Sequence, residues 1–324
     1  MNSKLVLCKK LSMKYCFLGH SGTRFRCNPI KSFSSKELLE ATNNFKPYFY
    51  NDSDYKWYKA TLDDRPVLIK RYDVSDYKFA KAYRDIAIST QMSSHKNVLK
   101  LFGCCLELRH PALVYEYAEN GPFDNKGGIG SNGLSLTWNM RLKVAKGIAN
   151  AITYLHTSFP RPIIHRDLKL SSMFLDKDFV PKLSNFALSL SIPEGKTHVR
   201  GTTVQGTVGF VDPAYLRTSV VTVYSFGVFL LVLLTGQSAF DHRRARNQQS
   251  IHAYVAELVK EERFDEIVDP KILEGEGRTN IEELDTQLRA FLKLASSCIE
   301  TKTEDRPLMI DVAKEIIKIE RTAN

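Results

Sequence analysis

Apolar residues recur along the chain in two rhythms, short runs in the first third and three- and four-residue steps later. Val67-Leu68-Ile69-Lys70 is a compact apolar run behind Asp63-Asp64-Arg65-Pro66, which predicts a tight turn leading into a buried strand. Phe79, Ala82, Tyr83, Ile86 and Thr90 fall on one helical stripe, so 77–92 reads as an amphipathic helix. Ala112 to Tyr117 reads as a second strand, closed by Asn120-Gly121-Pro122 and a Gly/Ser-rich loop from Lys126 to Ser135 that marks a lobe boundary. Leu142, Ala145, Ala149, Ile152 and Leu155 form the next helical stripe, and 223–235, 250–262, 283–299 and 307–320 are helical by pattern. Ser34-Ser35-Lys36-Glu37 has the form of a capping box opening a short helix that ends before Pro47. Strands early and helices late predict an α+β chain of two unequal lobes, with no internal repeat.

The composition, 43% hydrophobic and 25% charged over 324 residues, is that of a folded globular protein. The net charge of +10 is concentrated at the start: residues 1–46 hold nine Lys/Arg against Glu37 and Glu40. This is a basic arm on a nearly balanced body. Because no aromatic-basic RNA motif accompanies the arm, it reads as a solvated or membrane-attracted tail, and nucleic acid is not an expected partner. Lys4, Lys9, Lys10 and Lys14 interrupt any signal-peptide core, and Gly227 to Leu234, the longest apolar stretch, is too short to span a bilayer. Asn2 excludes N-myristoylation, and Cys8 and Cys16 are weak palmitoylation sites. The expected location is the cytoplasm, with peripheral attachment to the plasma membrane as an option. The six cysteines form no Cys-x-x-Cys and no His pairing, so neither zinc nor a disulfide framework is indicated.

The chemistry-bearing motifs lie after residue 50. His165-Arg166-Asp167-Leu168-Lys169, preceded by a helix ending in Tyr154-Leu155-His156, resembles the catalytic loop of protein kinases. Val67-Leu68-Ile69-Lys70 resembles the strand carrying the ATP lysine, Leu183-Ser184-Asn185-Phe186-Ala187 sits where the metal-binding loop belongs, and Gly206 to Ala214 resembles the end of the activation segment. Phe33 to Phe45, Leu101-Phe102-Gly103-Cys104-Cys105, Leu136-Thr137-Trp138 and Val223-Tyr224-Ser225-Phe226-Gly227 resemble plant receptor-like kinases, so the likeness covers residues 33–320. It implies a bilobal protein-kinase fold: a basic extension (1–32), a small β-rich N-lobe with one regulatory helix (33–118), and a larger α-helical C-lobe (119–324) with the activation segment at 185–214.

Phosphoryl transfer is positioning and charge stabilisation, and needs a phosphate cradle, a lysine, metal ligands and a base. Aligning Trp57-Tyr58-Lys59-Ala60 with the end of a Gly-rich loop places Tyr50, Asp52 and Tyr55 at its three glycines. Two bulky rings and the carboxylates of Asp52 and Asp54 are a poor cradle for an anion. Lys70 is retained, and Asp85 takes the place of the usual glutamate one methylene short, giving a strained pair that reads either as the ATP-lysine site or as a structural ion pair. Asn185 replaces the metal-binding aspartate and Ser172 the second ligand, so neutral oxygens stand where magnesium needs a carboxylate. Loss of a metal clamp costs on the order of 10³-fold in rate. Asp167 keeps the position of the base, and Lys169 reads either as a γ-phosphate contact or as a structural lysine; His165 and Phe186 read as packing residues and Arg166 as meeting a loop charge. In the C-lobe, Ala214 stands where a glutamate pairs with the late arginine, leaving Arg306 without its expected partner, the chain is short between Arg217 and Tyr224, and Thr222 replaces a bracing aspartate.

Lys56-Trp57-Tyr58-Lys59, Tyr83-Arg84-Asp85-Ile86-Ala87 and Leu183-Ser184-Asn185-Phe186 resemble the ZRK-type non-functional pseudokinases. That resemblance implies an immune adaptor that binds a coiled-coil nucleotide-binding leucine-rich-repeat receptor and recruits receptor-like cytoplasmic kinases modified by pathogen effectors, the effectors being further candidate partners. No cofactor is required on this reading, and ATP binding is left open. Lys196, His198 and Arg200 make the activation segment a basic surface for a phosphate-bearing partner. The alternatives are a metal-poor Ser/Thr kinase working through Lys70, Asp167 and Lys169, and an ATP-binding switch without phosphotransfer.

Overall fold

The computed structural model describes residues 30–73, 79–129, 133–194, 205–213, 221–275 and 281–322. The chain divides into two compact units, one comprising Met1–Glu119 with Ser184–Leu188, the other Asn120–Leu183 with Ser189–Asn324.

The first unit is built on a six-stranded sheet of β1 (Lys31–Ser32), β2 (Tyr50–Asn51), β3 (Tyr55–Leu62), β4 (Arg65–Tyr72), β5 (Leu101–Cys105) and β6 (Ala112–Glu116), in the order β1-β5-β6-β4-β3-β2. The β3–β4 hairpin turns at Asp63 and Asp64, both with φ near +50° to +57°, the left-handed pair that matches the twist of flanking strands. Alternation along β4 sends Val67 and Ile69 to one face, where they join Phe33, Leu38, Phe45 and Tyr58, and Leu68, Lys70 and Tyr72 to the other. Both faces are buried, which explains the unbroken apolar run. Helix α1 (Ser35–Ala41) carries the expected capping box: the Ser34 hydroxyl accepts from the Glu37 amide and the Glu37 carboxylate from the Ser34 amide. Strand β1 lies parallel to β5 only because residue 103 is glycine, since a Cβ there would sit 2.0 Å from the Lys31 carbonyl oxygen. Helix α2 (Phe79–Met92) supplies Asp85, and the part of the predicted helix at 77–78 lies outside the described residues.

The second unit contains β7 (Gly121–Pro122), α3 (Trp138–Thr157), β8 (Ile163–Ile164), β9 (Met173–Leu175), β10 (Pro181–Leu183), β11 (Leu190–Ser191), α4 (Val221–Thr235), α5 (Ile251–Lys260), α6 (Pro270–Gly275), α7 (Ile281–Cys298) and α8 (Met309–Arg321). Strands β10-β9-β7 form one small sheet and β11-β8 another. The apolar stripe of α3 buries Leu142, Ala145, Ile152 and Leu155. Its first turn is tied to α7 by Trp138 Nε1 donating to Gln287 Oε1 at 2.7 Å, and Gln287 in turn donates to the Ile319 carbonyl of α8 at 3.0 Å. Helices α4 and α7 approach so closely at Gly227 that a Cβ would meet Cys298 Cβ and Ile299 Cγ2 at 2.7 Å. Among the described residues no helix is long and apolar enough to cross a membrane.

Arg306 is not left without a partner. Ala214 indeed offers no carboxylate, but Asp212, two residues earlier, accepts from Arg306 Nη1 and, at 3.2 Å, from Nη2, with both side chains no more than 1% exposed. Arg306 Nε donates to the Glu300 carbonyl at 2.7 Å, and its guanidinium lies 5.2 Å from the Tyr224 ring. A fork-shaped cation accepts a carboxylate from either position of the adjoining loop, so the pair survives a shift along the chain. Ala214, Arg217 and the side chain of Thr222 lie outside the described residues, as do Lys196, His198 and Arg200 and the cysteines at 8, 16 and 27.

Candidate functional site

In the first unit, the pairing register sets Tyr55 opposite Tyr72 and Trp57 opposite Lys70, so four large side chains share one face of the hairpin. Lys70 is fully buried there. Its ammonium donates to Asp85 Oδ2 at 2.7 Å and to Asn185 Oδ1 at 2.7 Å. Its remaining surroundings are aromatic: the Tyr55 ring centroid lies 3.9 Å away, Tyr72 4.9 Å and Trp57 5.9 Å. The electron-rich ring faces hold a desolvated cation electrostatically. Edge-on contacts fix the rings, Tyr55 to Tyr72 at 6.0 Å, Tyr55 to Trp57 at 6.4 Å, and Trp57 is tilted on Tyr115 at 5.4 Å.

The expected strain in the Lys70–Asp85 pair is absent. Asp85 is fully buried, and both its oxygens accept twice: Oδ2 from Lys70 and from the Tyr72 hydroxyl at 2.7 Å, Oδ1 from the Phe186 amide at 2.8 Å and the Ser89 hydroxyl at 3.2 Å. Four acceptor sites, all used, are what a buried carboxylate needs. The shorter acid fits because Tyr72 and Ser89 close around it. Burial first, and the Asp85 charge second, push the Tyr72 and Tyr115 phenols well above their ordinary range, so Tyr72 stays a donor. Asn185 takes a left-handed backbone at φ 66°, which asparagine tolerates, and Arg84 Nη1 donates to the Ala187 carbonyl at 3.2 Å. Of the two acids beside Tyr55, Asp54 is neutralised by Lys81 of α2 at 2.5 Å, and Asp52 accepts from the Ser53 hydroxyl.

In the second unit, the catalytic-loop residues form their own cluster. Asp167 is 7% exposed; its Oδ1 accepts from the Thr207 hydroxyl at 2.7 Å, and Lys169 Nζ lies 3.6 Å from Oδ2. Lys169 thus lies against the carboxylate of the base position. Ser172 is fully buried and its hydroxyl reaches back to the Asp167 carbonyl at 3.4 Å. His165 is fully buried, its Nδ1 accepting from the Asp167 amide at 3.3 Å and its carbonyl from the Ser189 hydroxyl at 3.2 Å. Arg166 is buried with φ 67°, and Phe186, in the first unit, is fully buried. The structure thus brings Lys70, Asp85 and Asn185 together in one unit and Asp167, Lys169 and Ser172 in the other.

Sequence reading did not anticipate Tyr55 as a contact of the lysine, seeing only a missing glycine. The signal available was the period of two, Tyr55-x-Trp57 against Lys70-x-Tyr72, which places the four on one face once the hairpin register is set.

The protein kinase domain matches residues 56–318. Among relatives in Arabidopsis thaliana, the chain is 43% identical over 305 residues to a protein named serine/threonine-protein kinase ZRK1, 42% over 304 residues to non-functional pseudokinase ZRK2, and 44% over 306 residues to non-functional pseudokinase ZED1. The matches cover 90%, 90% and 91% of this chain and 86%, 84% and 91% of those proteins, in the same order.

Proposed function

Because the chain belongs to the protein kinase family and to its ZRK-type group, we propose that it works as a catalytically inactive adaptor in plant innate immunity. In this role it binds a coiled-coil nucleotide-binding leucine-rich-repeat receptor from the cytoplasm and recruits receptor-like cytoplasmic kinases that pathogen effectors have modified. Names within the group fall on both sides of the activity question, so identity alone does not decide it. The observation that carries the reading is at position 185. A neutral amide stands where the metal-binding carboxylate belongs, and its oxygen accepts the Lys70 ammonium. Magnesium held between phosphates and protein needs hard anionic oxygen, which neither Asn185 nor the buried Ser172 hydroxyl provides. Asn185 and Ser172 do not fit a magnesium nucleotide.

The test is phosphate incorporation from labelled ATP with magnesium and with manganese, comparing the wild type, Asp167→Ala and the double restoration Asn185→Asp with Ser172→Asn. Wild-type incorporation is expected at the level of Asp167→Ala; a signal that vanishes in Asp167→Ala overturns inactivity. Co-purification with receptor-like cytoplasmic kinases, modified and unmodified, checks the adaptor role, and failure to retain any of them counts against it.

A further inference from the structure

We propose that Tyr55 is a built-in occupant of the lysine's ligand face, a side chain that takes the place of a nucleotide phosphate and bars ATP from the Lys70 ammonium. The inference rests on the same lysine as the adaptor reading, yet the two fail separately. Three observations carry it. Tyr55 is 2% exposed although it stands at a position where the phosphate loop of an active kinase carries glycine. Its ring centroid is the nearest of three aromatic rings to the Lys70 ammonium, at 3.9 Å, against 4.9 Å for Tyr72 and 5.9 Å for Trp57. The ammonium's other directions are committed to Asp85 and Asn185, both at 2.7 Å. An arriving phosphate would have to expel a buried ring before it could touch the cation, and would itself be desolvated in doing so.

The arrangement also explains how the lobe keeps its lysine. A buried ammonium needs compensation, and in an enzyme phosphate supplies part of it. Here the ring face and the Asn185 amide supply that part permanently, so the Lys70–Asp85 pair, and with it the seat of α2, is set without a ligand.

The experiment uses the full chain in two arms. In the first, the folded wild type is treated briefly with an acetylating N-hydroxysuccinimide ester and Lys70 is read by mass spectrometry beside Lys36 and Lys318, whose side chains are 83% and 71% exposed. Lys70 is expected to label at least ~100-fold more slowly than either, as an ammonium that reacts only through rare opening of the lobe. Labelling at the surface rate overturns the proposal. In the second arm, ATP binding with and without magnesium is followed by equilibrium dialysis and melting temperature in the wild type, Tyr55→Phe, Tyr55→Gly, and Tyr55→Gly with Lys70→Ala. The wild type and Tyr55→Phe are expected to bind nothing at millimolar ATP. Tyr55→Gly is expected to bind, with a melting rise on the order of 2–4 °C at tenfold excess over Kd, and to lose that binding with Lys70→Ala. Lys70-dependent ATP binding by the wild type as tight as that of Tyr55→Gly overturns the proposal. So does a folded Tyr55→Gly that still ignores ATP; that result leaves the adaptor reading standing. Should Tyr55→Gly not fold, Tyr55→Ala takes its place in the binding arm and is read against the same outcomes.

Discussion

Asp85 shows what a single methylene does in a closed site. The aspartate is completed by Lys70, Tyr72, Ser89 and the Phe186 amide, with no exposed surface. Restoring the family's longer acid, Asp85→Glu, therefore adds volume to a filled cavity and is expected to cost about 1–3 kcal/mol in urea denaturation. Asp85→Ala leaves the Lys70 ammonium buried without its carboxylate and is expected to cost about 3–5 kcal/mol. At this scale Lys70, Asp85, Asn185 and Ser172 were legible because each stands at a motif position. Tyr55 was not, because its role comes from a cross-strand neighbour rather than from a position in a motif. Arg306 was misread for the same reason: a motif column identifies the missing glutamate at 214 but not the carboxylate that Asp212 brings in space.

Among elements, the strands and helices read from periodicity recur in the structure because both faces of the sheet and the stripes of α3, α7 and α8 are buried. What periodicity could not show is spacing between elements. Two glycines set it. Gly227→Ala puts a methyl group 2.7 Å from Cys298 and Ile299, so α4 and α7 must part, and a loss of about 1–3 kcal/mol is expected. The clash at Gly103 is with backbone and cannot be relieved by a rotamer; Gly103→Ala is expected to unpair β1 from β5, visible as faster amide hydrogen exchange at Phe33, whose amide donates to the Cys104 carbonyl at 3.0 Å. The capping box at Ser34 was readable outright, since its geometry is local; Ser34→Ala is expected to cost about 1 kcal/mol.

For the whole molecule, acid sensitivity has an identifiable source. Burial lowers His156 from its ordinary value near 6.5 to about 4. Between those values the unfolded chain binds the proton and the folded chain does not, so stability is full above about 6.5 and declines as pH falls toward about 4. His156→Phe is expected to flatten the difference between urea midpoints at neutral and mildly acidic pH. The bond between Lys70 and Asn185 has a consequence for descent. A lineage returning to catalysis by the single change Asn185→Asp would place its recovered carboxylate against an ammonium that is already within 2.7 Å, beside a second acid, Asp85. The regained charge would be absorbed as internal ballast before any metal met it, so the road back is blocked at its first step. On the inactive reading, loss of activity behaves as a ratchet, held by the side chains that stand on the lysine and not merely by those that went missing.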